Sequence, residues 1–218
     1  MNNILAVLFD LDGTFADTAP DLARALNGVR AERGLPPLPP EVARPHTSAG
    51  ARGLLKAGFG IAPESLDYGD LRDRFLDFYE KELCVETRLF DGIPELLATL
   101  RARKVPWGIV TNKGKRFTEP LVRLLAVDRL AGCVVSGDST PHIKPHPAPL
   151  LLAASLLSLP PVACLYVGDD LRDVQAARAA GMSVLAAGWG YLGEGADPGA
   201  WEADAVIAHP REILDFIS

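Results

Sequence analysis

The sequence predicts an α/β fold, a doubly wound parallel sheet with a small all-helical segment inserted after its first strand. Short apolar runs at residues 5–9, 106–110, 132–136, 163–167, 183–186 and 205–208 alternate with helical patterns of about ten residues. Between the first and second runs lies a long block with helical periodicity and no buried β pattern. Polar residues cluster where the apolar runs end, as expected of strands whose carboxyl ends face a ligand crevice.

The first run is continuous, Leu5 to Phe9, as in a strand buried on both faces. It ends on Asp10-Leu11-Asp12-Gly13-Thr14. Pro20 then opens a helical pattern through Leu26, because proline is tolerated in a first turn. Residues 34–40 hold four prolines and must form a turn or extended connector. Helical spacing returns from Glu41, clearest at Leu71, Phe75, Phe78 and Tyr79. The expected boundaries are 1–15 and 89–218 for the α/β core and 16–88 for the helical insertion. A helix is expected over 93–103, a strand at 106–110 ending on Thr111-Asn112-Lys113, and a helix near 115–125 with Pro120 as an irregularity. Lys144-Pro145-His146-Pro147 should open the next helix, through Leu157. The strand at 163–167 ends on Gly168-Asp169-Asp170, and its helix runs from about Leu171 to Ala180 with Gly181 as C-cap. Two last strands flank a glycine-rich loop containing Trp189, Tyr191 and Trp201, whose aromatics read as packing residues.

The chain has 218 residues, 48% hydrophobic and 23% charged, enough for one substantial core. A formal charge of −6 with no basic runs opposes nucleic acid as a partner. No apolar run nears the roughly 20 residues that span a bilayer, and the first strand leaves no room for a signal peptide, so a cytoplasmic protein without a membrane partner is expected. Cys84, Cys133 and Cys164 are too scattered for a metal site and read as reduced thiols. His46, His142, His146 and His209 lack ligand spacing and read as surface or loop residues.

Two carboxylates at i and i+2 repel unless a cation lies beside them, while Gly13 lets the backbone approach a ligand and Thr14 offers a hydroxyl. Thr111, Asn112, Lys144, Asp169, Asp170 and Asp173 are expected at neighbouring strand ends. Carboxylates, a hydroxyl and a lysine about one point suit phosphoryl transfer, which needs an oxygen nucleophile, Mg²⁺ and donors for the phosphoryl oxygens.

Asp10-Leu11-Asp12-Gly13-Thr14, Thr111, Lys144-Pro145 and Gly168-Asp169-Asp170-Leu171-Arg172-Asp173 resemble the four signature motifs of the haloacid dehalogenase-like superfamily, in order and over the whole chain. Within it the chain resembles phosphoglycolate phosphatases. N-acetylmuramic acid 6-phosphate phosphatases are similar at Ser48-Ala49-Gly50-Ala51-Arg52, at 107–113 and at Trp201-Glu202-Ala203-Asp204. The resemblance implies a Rossmann-like core, a helical cap in the insertion, and Mg²⁺-dependent hydrolysis of a small phosphorylated metabolite by a monomer or homodimer.

It makes Asp10 the nucleophile and Asp12 the general acid and base, with Thr111 and Lys144 also catalytic. Asp10, the Asp12 backbone carbonyl and Asp169 would hold the metal, with Asp170 and Asp173 one layer out. Gly13 and Asn112 would meet the phosphoryl group. From the residues themselves, Arg52 in its glycine-containing cap loop is the candidate for a distal acidic group of the substrate. Phe15, Asp170 and His146 depart from the usual residues but remove no catalytic group. A phosphosugar mutase shares both aspartates and stands as an alternative. A phospho-receiver domain is opposed by the Asp-x-Asp-Gly-Thr pattern and the insertion.

Overall fold

The computed structural model describes residues 3–193 and 195–217. Six strands form one parallel sheet: β1 (Ala6–Phe9), β4 (Trp107–Val110), β5 (Cys133–Val135), β6 (Cys164–Gly168), β7 (Ser183–Ala187) and β8 (Ala205–Ile207). Their order is β5-β4-β1-β6-β7-β8, so the chain builds outward from β1 on one side and then on the other. Loops beyond the carboxyl end of β1 therefore diverge to both sides, opening a crevice there.

Side chains alternate across each strand, and the sheet buries two cores. Val7, Phe9, Ile109, Val167 and Leu185 face one way, against α5 (Ile93–Ala102) and α6 (Lys115–Leu124). Leu8, Val110, Val135, Tyr166 and Val184 face the other, against α7 (Ala148–Leu156) and α8 (Leu171–Ala180). The first core continues into the helical cap through Leu22, Leu26, Leu54 and Phe75. The cap contains α1 (Ala19–Glu32), α2 (Pro40–Ala43), a 3₁₀ turn at Arg44–Ala49, α3 (Gly50–Phe59) and α4 (Tyr68–Lys81). Cap and core are thus packed on one apolar body.

A two-stranded antiparallel ribbon joins the cap to the core, pairing β2 (Ala16–Asp17) with β3 (Arg88–Leu89). Helical periodicity gave no sign of it, because two residues are too few to display a strand period. A second difference concerns Lys144. The expected helix begins at Ala148, leaving Lys144-Pro145-His146-Pro147 outside it. A residue before proline is pushed out of the helical region, and the two prolines place Lys144 and His146 before one. The three cysteines are free thiols. Among the described residues no helix is long and apolar enough to cross a membrane.

Candidate active site

Strand β1 delivers Asp10 to the crevice, its backbone N–H bonded to Val167 O at 2.9 Å. The following turn closes on itself through Gly13 N–H to Ala16 O at 3.0 Å. Gly13 has φ +89°, and a Cβ there would stand 2.2 Å from Asp169 Oδ2 and 2.7 Å from a Tyr191 ring carbon. Glycine is required on both counts. The turn thereby seats Thr14, whose hydroxyl donates to Asp169 Oδ1 at 2.9 Å.

Asp10, Asp169 and Asp173 are all buried, and each offers a carboxylate oxygen within 4.8 Å of the others. Lys144, also buried, sets its ammonium 2.8 Å from Asp10 Oδ1 and 2.7 Å from Asp173 Oδ1. It also donates to Val110 O at 3.1 Å and the Tyr166 hydroxyl at 2.8 Å. The contact with Asp10 is an ion pair without hydrogen-bond alignment, leaving Oδ1 buried with no hydrogen-bond partner among the described residues. One ammonium does not offset three buried carboxylates. Burial pushes the Asp10 carboxyl up to about 7 against the pull of Lys144, with Asp173 adding to the rise. Burial, then Asp10 and Asp173, push Asp169 up to about 8. Such a set of hard oxygen donors, short of positive charge and holding an oxygen free of hydrogen bonds, fits a divalent cation.

Asp173, expected one layer out, stands inside this cluster. Asp170 does not: its carboxylate caps α8 by accepting from Arg172 N at 2.9 Å and grips the Arg172 guanidinium through two bonds of 2.7 Å. Burial works against its ionisation, but the bonds from Arg172 outweigh that and lower its pKa. Arg172 in turn donates to Ser48 O at 2.8 Å, and the Ser48 hydroxyl donates to Asp169 Oδ2 at 3.1 Å. A cap loop is therefore bonded directly onto the carboxylate cluster.

The side chain of Asp12 turns away from the cluster. Lys113 Nζ donates to its two oxygens at 2.8 and 3.0 Å, and the Thr18 hydroxyl to Oδ1 at 2.6 Å. Burial opposes the charge on Lys113, yet Asp12 holds its pKa above the usual lysine range. The Lys113 ammonium also lies 4.8 Å from the Tyr79 ring centre. Sequence reasoning passed over Lys113, although its place directly after Thr111-Asn112 at a strand end was a usable signal. It missed Tyr191 as well, which donates its backbone N–H to Asp169 Oδ2 at 2.9 Å while its hydroxyl accepts from Thr18 N at 2.7 Å. Nothing in periodicity links residues so far apart.

Thr111 is buried beside the cluster, and its hydroxyl accepts from Lys113 N at 3.1 Å. Asn112, expected to meet the phosphoryl group, uses its amide otherwise. Its Oδ1 accepts from Lys144 N at 2.9 Å and its Nδ2 donates to Lys144 O at 3.0 Å, fixing the Lys144 backbone. Between cap and core lies a cavity of about 470 Å³ lined by Asp10, Asp12, Thr111, Asn112, Lys113 and Lys144 from the core and Ser48, Arg52, Phe75 and Tyr79 from the cap. Arg52 is exposed at its rim and makes no ion pair among the described residues.

The model of one family, the haloacid dehalogenase-like hydrolases, matches residues 7–187. The chain belongs to that family. It is 42% identical over 212 residues to an N-acetylmuramic acid 6-phosphate phosphatase of Pseudomonas aeruginosa, covering 97% of this chain and 94% of the relative. It is 40% identical over 210 residues to a phosphoglycolate phosphatase of Xanthomonas campestris, covering 96% and 95%. The crystal structure of a predicted phosphoglycolate phosphatase from Haemophilus somnus superimposes with a TM-score of 0.86 at 27% identity, covering 99% of both chains. Family and relatives together make this haloacid dehalogenase-like hydrolase a phosphatase.

Proposed function

We propose that the protein hydrolyses phosphomonoesters with the help of Mg²⁺ through a phosphorylated Asp10, and that residues 16–88 close over the substrate as its cap. The observation that carries this reading is the pairing of Asp10 and Asp12 on one turn. Asp10 faces the buried carboxylate cluster, and Asp12 is held apart from it by Lys113 and Thr18. An Asp10 oxygen attacks phosphorus, the bond from phosphorus to the ester oxygen breaks, and protonated Asp12 gives its proton to that oxygen. Asp12 then takes a proton from water as the water oxygen attacks phosphorus. The bond from Asp10 to phosphorus breaks, and inorganic phosphate leaves with Asp10 restored.

Asp10, Asp169 and the Asp12 backbone carbonyl would hold Mg²⁺, with Asp173 beside them. Bound there, the ion offsets the negative charge of carboxylates and phosphate. Thr111 and Gly13 would meet phosphoryl oxygens. Lys144 holds Asp10 and Asp173 in register, and Asn112 holds Lys144.

The first substrate to consider is 2-phosphoglycolate, whose carboxylate Arg52 would meet. One observation favours a second reading, an amino-sugar acid phosphate. The cavity of about 470 Å³ falls within the range of pockets that take ligands much larger than a two-carbon acid. Leu22, Phe75, Leu76 and Phe117 add apolar wall suited to a sugar ring.

The test is phosphate release from a panel of phosphomonoesters containing 2-phosphoglycolate and N-acetylmuramic acid 6-phosphate, with and without EDTA. Turnover should vanish in chelator and return with Mg²⁺, and Asp10→Asn should abolish it in a folded protein. Full activity in chelator, or in Asp10→Asn, would refute the mechanism. Exchange between sugar bisphosphates in place of phosphate release would identify a mutase.

A further inference from the structure

The cap helix α4 carries a buried hydroxyl that the chemistry above does not use. Tyr79 is 1% exposed and lines the cavity, and its buried hydroxyl makes no aligned hydrogen bond among the described residues, although the Lys113 ammonium stands close enough to act on it. The ring is held on several sides: parallel to Phe75 at 6.5 Å between centres, tilted against Phe117 at 5.6 Å, and under the Lys113 ammonium at 4.8 Å. A phenylalanine would serve that packing and keep the cation over its face, as Phe75 and Phe117 serve theirs. An ammonium can only donate, so the hydroxyl proton stays buried without an acceptor, and its presence calls for an acceptor that arrives with the ligand.

The position of that partner follows from Lys113. The same ammonium touches the ring of Tyr79 and both oxygens of Asp12, the carboxyl that serves the ester oxygen. Lys113 thus sets the Tyr79 ring beside the carboxyl that serves the leaving group.

We propose that Tyr79 is a specificity-determining residue whose hydroxyl donates to an oxygen carried by the leaving group close to the ester oxygen. The enzyme then prefers phosphate esters of hydroxylated or acidic alcohols to those of plain alkyl alcohols. Burial pushes the phenol up to about 12, so it stays a donor through the neutral range. A site built around a buried donor rejects the analogue that lacks the acceptor, because the donor is then left unpaired. The rigid ring adds to this, since little freedom is lost when the bond forms.

This rests on the phosphomonoesterase reading, and the test separates the two. With p-nitrophenyl phosphate as reporter and Mg²⁺ present, the inhibition constants of glycerol 3-phosphate and propyl phosphate are measured for the wild type and for Tyr79→Phe. The two inhibitors share a three-carbon chain and differ in their hydroxyls. Wild type should bind glycerol 3-phosphate about 10-fold or more tightly than propyl phosphate, and Tyr79→Phe should bring the two constants together. Without inhibitor, the Tm of Tyr79→Phe should equal or exceed that of the wild type, since a buried hydroxyl without an acceptor has been removed. Equal inhibition constants in the wild type, or a preference unchanged in Tyr79→Phe, would overturn the inference. So would a Tm several degrees lower, which would give the hydroxyl a bond within the protein. Absence of any reporter turnover by the wild type would instead remove the phosphomonoesterase reading.

Discussion

Replacing Lys144 by methionine keeps an unbranched side chain one atom shorter and removes one buried charge from the centre of the site. The ammonium is 3% exposed and stands within 2.8 Å of both Asp10 and Asp173. Its other neighbours, Val110 O and the Tyr166 hydroxyl, are bonded to each other at 2.9 Å and keep a partner when it is gone. The cost therefore falls on the two carboxylates, which lose their cation while Asp169 remains close by. Breaking a buried ion pair by removing one partner costs about 3–5 kcal/mol. In a chain of this length, at roughly 2–4 °C per kcal/mol, the Tm should fall by about 6–20 °C. The same positioning lost from the transition state lowers kcat/KM by about 10²- to 10⁴-fold at ~1.4 kcal/mol per decade. Added Mg²⁺ should raise the Tm of the variant more than that of the wild type, because the ion takes over part of the neutralisation. The assay is thermal unfolding with and without Mg²⁺, alongside phosphate release. A Tm within 2–3 °C of wild type together with turnover within about threefold would refute the assignment, since both lie outside what the loss of a buried partner allows.

Two further outcomes are expected. Arg52→Ala should lower the ratio of kcat/KM on a carboxylate-bearing phosphate to kcat/KM on p-nitrophenyl phosphate by about 10- to 1,000-fold, the range of a charge-assisted contact. An unchanged ratio would return Arg52 to the surface. Asp21→Asn should cost about 2–3 kcal/mol at neutral pH, because the buried carboxylate accepts from the Thr87 hydroxyl and backbone, the Glu86 backbone and Arg24, and an amide nitrogen cannot accept. Burial works against ionisation of Asp21, but those bonds outweigh it and lower its folded pKa. The stability it contributes is thus present above the unfolded value of about 3.9 and is lost as pH falls through the lower folded value. The gap between wild type and Asp21→Asn, read by urea unfolding, should close over that acid range. A gap that persists there would show that packing, not the charge, sets the loss.

Asp10, Asp12, Thr111, Lys144 and Asp169 were legible as a candidate site because buried strands have a simple signature and parallel strands bring their carboxyl ends to one side. The alternation of short apolar runs with helical segments likewise dictated the sheet and the inserted cap. Tertiary structure alone decided which donor fills which bond. Tyr166 reaches Lys144 because the pleat of β6 turns it toward that face, and Tyr191 reaches Thr18 from 173 residues away through the order of the sheet. Asn112 and Thr111 are adjacent and equally polar, yet the Asn112 amide is taken up by the Lys144 backbone. Asp170 and Asp173 differ by three positions on one helix. Both belong to the capping box of its first turn, but Asp170 spends its carboxylate on Arg172 while Asp173 also reaches Lys144 and the carboxylate cluster. Periodicity reports which face a residue lies on, averaged over a turn or a pleat. The placement of one hydroxyl or carboxylate to within a hydrogen-bond length depends on contacts between segments distant in the chain, and no local pattern records them.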